Sequence, residues 1–227
     1  MKLASYNIRK ARGLDQKRSP ERVLDVVSRL DADVVVLQEA DLRLGPRPTA
    51  LPRELIEAET DYHVAPLAEN DVSIGWHGNA ILLKNGLEVE EVDRFDLPGL
   101  EPRGAVSVRL TNGTRVVGVH LGLLRPSRRQ QLQRIRDLLQ GPYDARTVIA
   151  GDFNEWSARH ASEPLAPVFS MAPTRPSFPA NFPVATLDRI IHGPGLRLVD
   201  TGVGDCADAR TASDHLPIWA EFAARTD

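Results

Sequence analysis

The run Val34-Val35-Val36-Leu37 constrains this chain more than any other segment. Four consecutive apolar residues leave no polar face, so the strand they form must be covered on both sides. Upstream, Ser19-Pro20 reads as the N-cap and first position of a helix. Val23, Val26, Val27 and Leu30 then recur with helical spacing and define one buried face. Lys2 to Ile8 alternates like a short strand. The chain therefore opens strand–helix–strand. A coarse echo follows: Leu30–Glu39 and Leu139–Asp152 each run from a helix end through a short apolar strand to an acid.

The remaining pattern adds strands at Tyr62–Leu67, Asn79–Lys84, Leu87–Phe95, Thr147–Ala150, Thr186–His192, Leu196–Val203 and Pro217–Phe222. A helix is expected over Leu51–Glu59. A second is expected from a Ser127 cap, carrying Leu132, Ile135, Leu138 and Leu139 and stopped by Gly141-Pro142. Residues 41–53, 68–78 and 162–183 read as loops. Asn85-Gly86 reads as a hairpin turn joining its two flanking strands. A second hairpin joins Ala105–Leu110 to Thr114–His120 through Asn112-Gly113. A two-residue turn there pairs Thr111 with Thr114, Val108 with Val117, Val106 with Val119 and Ala105 with His120. That register puts the valines on one face and Arg103 beside His120 on the other. Many strands with few helices predict one α/β domain over residues 1–227, two packed β-sheets with helices outside.

Composition narrows the function. The formal net charge of −3 excludes a generally basic nucleic-acid binder but leaves room for a local basic cleft. The single cysteine, Cys206, forms neither an intrachain disulfide nor a cysteine zinc site. The N-terminal residues carry no signal-peptide-like apolar stretch, and no run approaches the roughly 18 residues of a membrane span. A soluble, cytoplasmic protein without an integral membrane segment is expected.

Polar residues gather where strands end. Glu39 follows the Val34–Leu37 strand and Asp152 follows Val148–Ala150. Asn7 ends the first strand, Asn154 follows Asp152, and Asp214 precedes the last strand. Carboxylates and amide oxygens are hard ligands suited to Mg²⁺ or Mn²⁺. His120 and His215 lie in the same kind of position. Taken singly, Asn7 also suits a turn, Asp214 a turn, and His215 a satisfied core histidine. Asp188, inside the apolar strand Leu187-Asp188-Arg189-Ile190-Ile191, is hardest to explain structurally, because a buried carboxylate needs a partner.

In chain order, Ser5-Tyr6-Asn7-Ile8, Leu37-Gln38-Glu39, Gly78-Asn79-Ala80-Ile81-Leu82, Pro102-Arg103-Gly104, Val119-His120-Leu121, Gly151-Asp152-Phe153-Asn154, Leu187-Asp188-Arg189-Ile190 and Ser213-Asp214-His215-Leu216-Pro217 resemble the endonuclease/exonuclease/phosphatase superfamily. The resemblance implies a four-layered α/β sandwich with a Mg²⁺- or Mn²⁺-dependent phosphoesterase site at one end. It implies Glu39 as principal metal ligand with Asn7 beside it, and Asp214 at a second metal position. By the same resemblance Asp152 orients the attacking water and Asn154 binds the phosphate or that water. His215 is the base or transition-state stabiliser, held by Asp188, and His120 contacts a phosphate oxygen with Arg103 in support.

The expected activity is hydrolysis of a phosphodiester by activated water. The substrate could be nucleic acid, a phospholipid head group or a small molecule. Arg125-Pro126-Ser127-Arg128-Arg129 could meet phosphates or an anionic lipid head group, or be a solvated loop and helix start, and Trp76 could stack on a base, touch lipid or anchor its loop. The alternative class is a non-catalytic binding module on the same fold. Hydrolysis of bis-p-nitrophenyl phosphate discriminates the two.

Overall fold

The computed structural model describes residues 1–42, 45–139, 141, 144–166 and 168–225. Two six-stranded mixed sheets face each other. The first is built from β1 (Lys2–Asn7), β2 (Val34–Gln38), β3 (Tyr62–Val64), β4 (Ala80–Lys84), β11 (Leu196–Val203) and β12 (Ile218–Ala224). The second holds β5 (Val89–Leu97), β6 (Arg103–Leu110), β7 (Arg115–His120), β8 (Thr147–Asp152), β9 (Ser170–Met171) and β10 (Asp188–His192). Helices α1 (Pro20–Leu30), α2 (Arg53–Glu59) and α5 (Ala209–Ala212) accompany the first sheet, and α3 (Arg125–Leu138) and α4 (Ala158–Ser162) the second.

Strand β2 explains the layering. Its five residues are all buried. Val35 and Leu37 pack with Val23, Val27 and Leu30 of α1, whereas Val34 and Val36 pack with Val106, Val116 and Val148 of the opposite sheet. A third cluster joins Val117, Val119 and Ile149 to Leu132 and Ile135 of α3. The result is helix, sheet, sheet, helix: the expected four-layered sandwich. The Ser19 hydroxyl accepts from the Arg22 amide and Pro20 opens α1, as its sequence predicts.

The echo between the chain's two halves is real. Strands β1 and β2 are parallel around α1, and β7 and β8 are parallel around α3. The sheet orders β12-β1-β2-β4-β3 and β6-β7-β8-β10-β9 then match position for position. Glu39 and Asp152 leave equivalent strands.

Three local expectations fail. The Asn85-Gly86 turn exists, with Gly86 at φ 97°, but β4 and β5 belong to different sheets. The turn passes the chain across the sandwich instead of closing a hairpin. The β6–β7 hairpin is one residue out of the expected register: Val108 pairs Val116 and Ala105 pairs Val119. Its loop is three residues, Thr111–Gly113, closed by the Leu110 amide on the Thr114 carbonyl. One extra loop residue inverts every facing relation. Val106 and Val108 therefore lie between the sheets with Val116, while Val117 and Val119 face α3. Thirdly, α3 begins at Arg125 with Leu124 at its cap, so Ser127 sits in its first turn. Leu138 is only half-buried on that helix, and Pro142, its expected stop, lies outside the described residues. Among the described residues no helix is long and apolar enough to cross a membrane.

Gly151 positions the end of β8. Its φ is +154°, and a Cβ there would lie 1.8 Å from the Val119 carbonyl oxygen. Gly151→Ala is expected to cost about 1–3 kcal/mol, the range for forced overpacking. Urea denaturation of the purified variant measures the loss.

Candidate active site

The inter-sheet apolar layer ends in a polar rung. His120 of β7 neighbours Asp152 of β8, and Asp152 neighbours Asp188 of β10. Paired residues share a face. This is the face on which Val116, Val148, Ala150 and Ile190 meet the first sheet. All three polar side chains are buried, and so are Asn7 and His215 from the first sheet's side.

Asp152 Oδ2 is the convergence point. The Asn7 amide nitrogen donates to it at 3.1 Å, His120 Nε2 lies at 3.5 Å and His215 Nε2 at 3.8 Å. Its other oxygen accepts from the Asn154 backbone amide at 2.9 Å. On the far side of the ring, His215 Nδ1 lies 2.9 Å from Asp188 Oδ2. The Ser177 hydroxyl donates to that same oxygen. Asp188 thus has the partner its apolar strand demands. Burial alone would lower the His215 pKa. The charge and hydrogen bond of Asp188, with the charges of Asp152 and Asp214, outweigh it and raise the pKa to about 9.

Glu39 lies where β2 ends, in left-handed backbone at φ 54°. Its carboxylate binds the Lys10 ammonium. Asp214 stands at the rim, 3.5 Å from Arg9 Nε. Asn7 also accepts from the Arg9 amide at 3.1 Å, so its side chain braces two neighbours. The Ser213 hydroxyl donates to the Asn7 carbonyl at 2.7 Å, joining the segment before β12 to the end of β1. Asn154, at φ 50°, donates to the Leu121 carbonyl at 2.9 Å.

Beside Glu39 opens a cavity of about 240 Å³ lined by Lys10, Arg47, His77, Arg103 and His120 among others. Arg103 and His120 thus meet there, although the register argument that joined them fails. Arg103 faces the α3 side of β6 and binds Glu101 at 2.7 Å. The two residues meet because both strands end at the cavity.

Some functional neighbours carry no readable sequence signal. Lys10 reaches Glu39 through three successive left-handed residues, Arg9 to Ala11. Ser177 comes from a proline-rich loop, and Arg47, from another loop, donates to His77 Nδ1 at 3.0 Å. Burial first, and then the Arg47 charge, lower the His77 pKa, which suits Nδ1 as the acceptor of that bond. Arg128 is withdrawn from the expected basic run: it is buried and paired with Glu155 at 2.8 Å. Trp76 anchors its loop, with its amide on the Asn79 carbonyl and its ring against the place of a Gly104 Cβ.

The cluster fits a divalent cation. Asp152, Asp188 and, in its neutral form, His215 each offer a donor atom, and these lie within 4.8 Å of one another. Asp188 Oδ1 is buried without a hydrogen-bond partner among the described residues. Asn7, Glu39 and Asp214 add hard oxygens around the same cleft, the donor type Mg²⁺ and Mn²⁺ take.

Known proteins agree with this architecture. YbhP of Escherichia coli K12, an uncharacterized protein, is 31% identical over 220 residues, covering 87% of this chain and 86% of its own. A functionally unknown conserved protein of Enterococcus faecalis superposes with a TM-score of 0.79 at 22% identity, covering 99% of this chain and 100% of its own. A mannosyl-6-phosphatase of Bacteroides thetaiotaomicron gives 0.75 at 20% identity, covering 98% and 99%. TDP2 of D. rerio, complexed with a single-strand DNA product, gives 0.73 at 17% identity, covering 99% of each chain. These three structures share the fold. Residues 4–215 match the model of the Endonuclease/Exonuclease/phosphatase family. With a cation-binding cluster at the sheet ends, the chain is a metal-dependent hydrolase of phosphate esters, and it belongs to the Endonuclease/Exonuclease/phosphatase family.

Proposed function

We propose that this phosphoesterase cleaves a phosphodiester by in-line attack of water, and that Asp152 is the residue on which the reaction turns. The observation that carries the reading is the convergence of Asn7, His120 and His215 on one oxygen of Asp152. A bound Mg²⁺ or Mn²⁺ would polarise the phosphoryl oxygens and favour the attacking hydroxide. Glu39, with Asn7 and Asp214 around it, would hold the metal.

The other residues divide the remaining work. Asp152, fixed from three sides, orients a water and accepts its hydrogen bond. His215 stands opposite with its Nδ1 held by Asp188, which fixes the ring and favours its charged form. A charged ring stabilises the equatorial oxygens as negative charge grows on them and can give its proton to the departing oxygen, while Asp152 takes the proton that the attacking water loses. His120 reaches a phosphate oxygen from the neighbouring strand. Asn154 keeps a second amide hydrogen and its carbonyl oxygen for phosphate or water. Arg103 supports the cavity wall. We place the protein in the cytoplasm, a reading supported by its lone free thiol, Cys206.

Hydrolysis of bis-p-nitrophenyl phosphate with Mg²⁺ or Mn²⁺, abolished by chelator, is the direct test. Absence of metal-dependent turnover would remove the enzymatic reading and favour a binding module on this fold. Glu39→Gln is expected to leave the urea midpoint near wild type and to lose most metal-dependent activity. An unchanged rate and metal dependence would take Glu39 out of the site.

The Asp188–His215 pair gives a sharper expectation. Asp188→Asn and His215→Ala should each lower kcat by about 10²–10⁴, the usual range for acid–base groups. The double variant should cost far less than the product, since coupled residues act as a unit. In metal-free protein the His215 ring should titrate near pH 9 by NMR, and Asp188→Asn should bring it down. The sign follows from the raised folded-state value. Stability from this charged pair is present below the unfolded histidine pKa of about 6.5 and is lost as pH rises through about 9. Multiplicative kinetics together with an unshifted ring would refute the dyad.

A further inference from the structure

The loops that leave the site's strands carry side chains that catalysis does not use. Leu100 is 86% exposed, Leu123 65%, Trp156 67% and Phe182 73%, with Leu124 and Val184 also more than half exposed. Single exposed apolar residues are ordinary. These six are grouped. Leu100 lies in the loop that leads into Arg103, and Leu123 and Leu124 follow the His120 strand. Trp156 comes two residues after Asn154, and Phe182 and Val184 lie between Ser177 and Asp188.

Bonds between the loops hold them to one end of the sandwich. Glu101 accepts from the Leu123 amide at 3.0 Å and from Arg103 at 2.7 Å. Buried Arg128 donates to the Gly122 and Leu123 carbonyls and to Glu155, tying the leucine loop to the Trp156 loop. Arg189 of β10 donates to the Glu155 carbonyl at 3.3 Å. The Ala180 amide donates to the Asp214 carbonyl, and the Phe178 ring lies 4.8 Å from the His215 ring. The apolar tips therefore lie at the same end of the sandwich as His120, Asp152 and His215.

Arg125 and Arg129 stand exposed on the first turns of α3, beside Leu123 and Leu124. Neither is ion-paired with a carboxylate among the described residues; the recorded side-chain partner of Arg125 is His160 Nε2 at 2.8 Å. Leucine, phenylalanine and tryptophan tips rimmed by arginine make up the chemistry of an interfacial membrane anchor. The tryptophan ring suits the boundary between headgroups and acyl chains. A single-stranded nucleic acid would also use Trp156 and Phe182 by stacking, but three leucines offer it no π-face.

We propose that this end of the protein docks on an anionic lipid surface and that the phosphodiester presented to the site is that of a phospholipid headgroup. The docking stands on the surface alone; the substrate assignment rests on the phosphodiesterase reading above. Insertion of the tips would bring the cleft down to headgroup level without removing a lipid from its bilayer. The arginines would add an attraction that salt weakens.

The test uses the full chain in flotation with phosphatidylcholine vesicles, with and without phosphatidylglycerol. Wild type should float with the anionic vesicles and far less with the neutral ones. The pairs Leu123→Ser with Leu124→Ser, and Arg125→Gln with Arg129→Gln, should each weaken binding by roughly tenfold. Both should hydrolyse bis-p-nitrophenyl phosphate at the wild-type rate while losing phosphatidylglycerol hydrolysis in parallel with binding. Intrinsic fluorescence should shift to the blue on anionic vesicles, and Trp156→Phe should remove that shift. No flotation, or flotation indifferent to both pairs, overturns the docking. Turnover of the small diester without vesicle binding does the same and leaves the phosphodiesterase reading intact. Vesicle binding without diester turnover upholds the docking and removes that reading. Binding of a thymidine oligonucleotide that Trp156→Ser abolishes and the leucine pair leaves unchanged would overturn the lipid assignment.

Discussion

The buried hydrogen bond from the Asn7 amide to Asp152 Oδ2 joins the two sheets where the site begins. Each sheet carries half of the constellation. The apolar layer between them fixes their separation, with Val34 and Val36 against Val106, Val116 and Val148. A Cβ on Gly118 would lie 2.8 Å from Val36 Cγ1, so the sheets approach as closely as this sequence permits. At the open end packing gives way to polar contacts, and the Asn7–Asp152 bond continues the same spacing with polar atoms. The Ser213 hydroxyl on the Asn7 carbonyl carries it to the His215 segment. A shift of one sheet would therefore disturb Asp152, His120 and His215 together.

Much of this was legible, for a physical reason. Strand ends are where an apolar run must meet water, and acids placed there do not pay burial without return. Glu39 and Asp152 are visible because each follows a run too apolar to be anything but a covered strand. Asp188 is visible because it violates its surroundings, and the structure supplies His215 and Ser177 as its partners. The repeated helix–strand–acid pattern reflects two sheets with the same strand arrangement.

What was not legible depended on counting or on distance. The β6–β7 register changed with one loop residue, because Asn112-Gly113 fits both a two-residue turn and the end of a three-residue loop. Asn85-Gly86 signals a turn but says nothing of which sheet the next strand joins. Lys10 and Ser177 reach the site through local backbone courses, three left-handed residues in one case and a proline-rich loop in the other. Neither has a period to read. Arg128 looked like part of an exposed basic run, but a run of cations does not reveal which one finds a buried acid.

The charges of the cleft show why a metal belongs beside Asp152. Of the four acids Glu39, Asp152, Asp188 and Asp214, three already face a cation: Glu39 faces Lys10, Asp214 faces Arg9 and Asp188 faces the His215 ring. Asp152 is 2% exposed, and the cationic groups recorded near it are two imidazoles, at 3.5 and 3.8 Å. Each of its oxygens accepts from a neutral amide, Oδ2 from Asn7 and Oδ1 from Asn154, and no lysine or arginine balances its charge among the recorded ion pairs. A buried carboxylate in that condition raises the affinity of the cleft for a small hard cation. The same arithmetic limits the site. Each further positive charge lowers the gain from the next, and Lys10 already holds Glu39. A metal held by Glu39 would have to share or displace the ammonium, which would couple metal affinity to the position of Lys10 through one carboxylate.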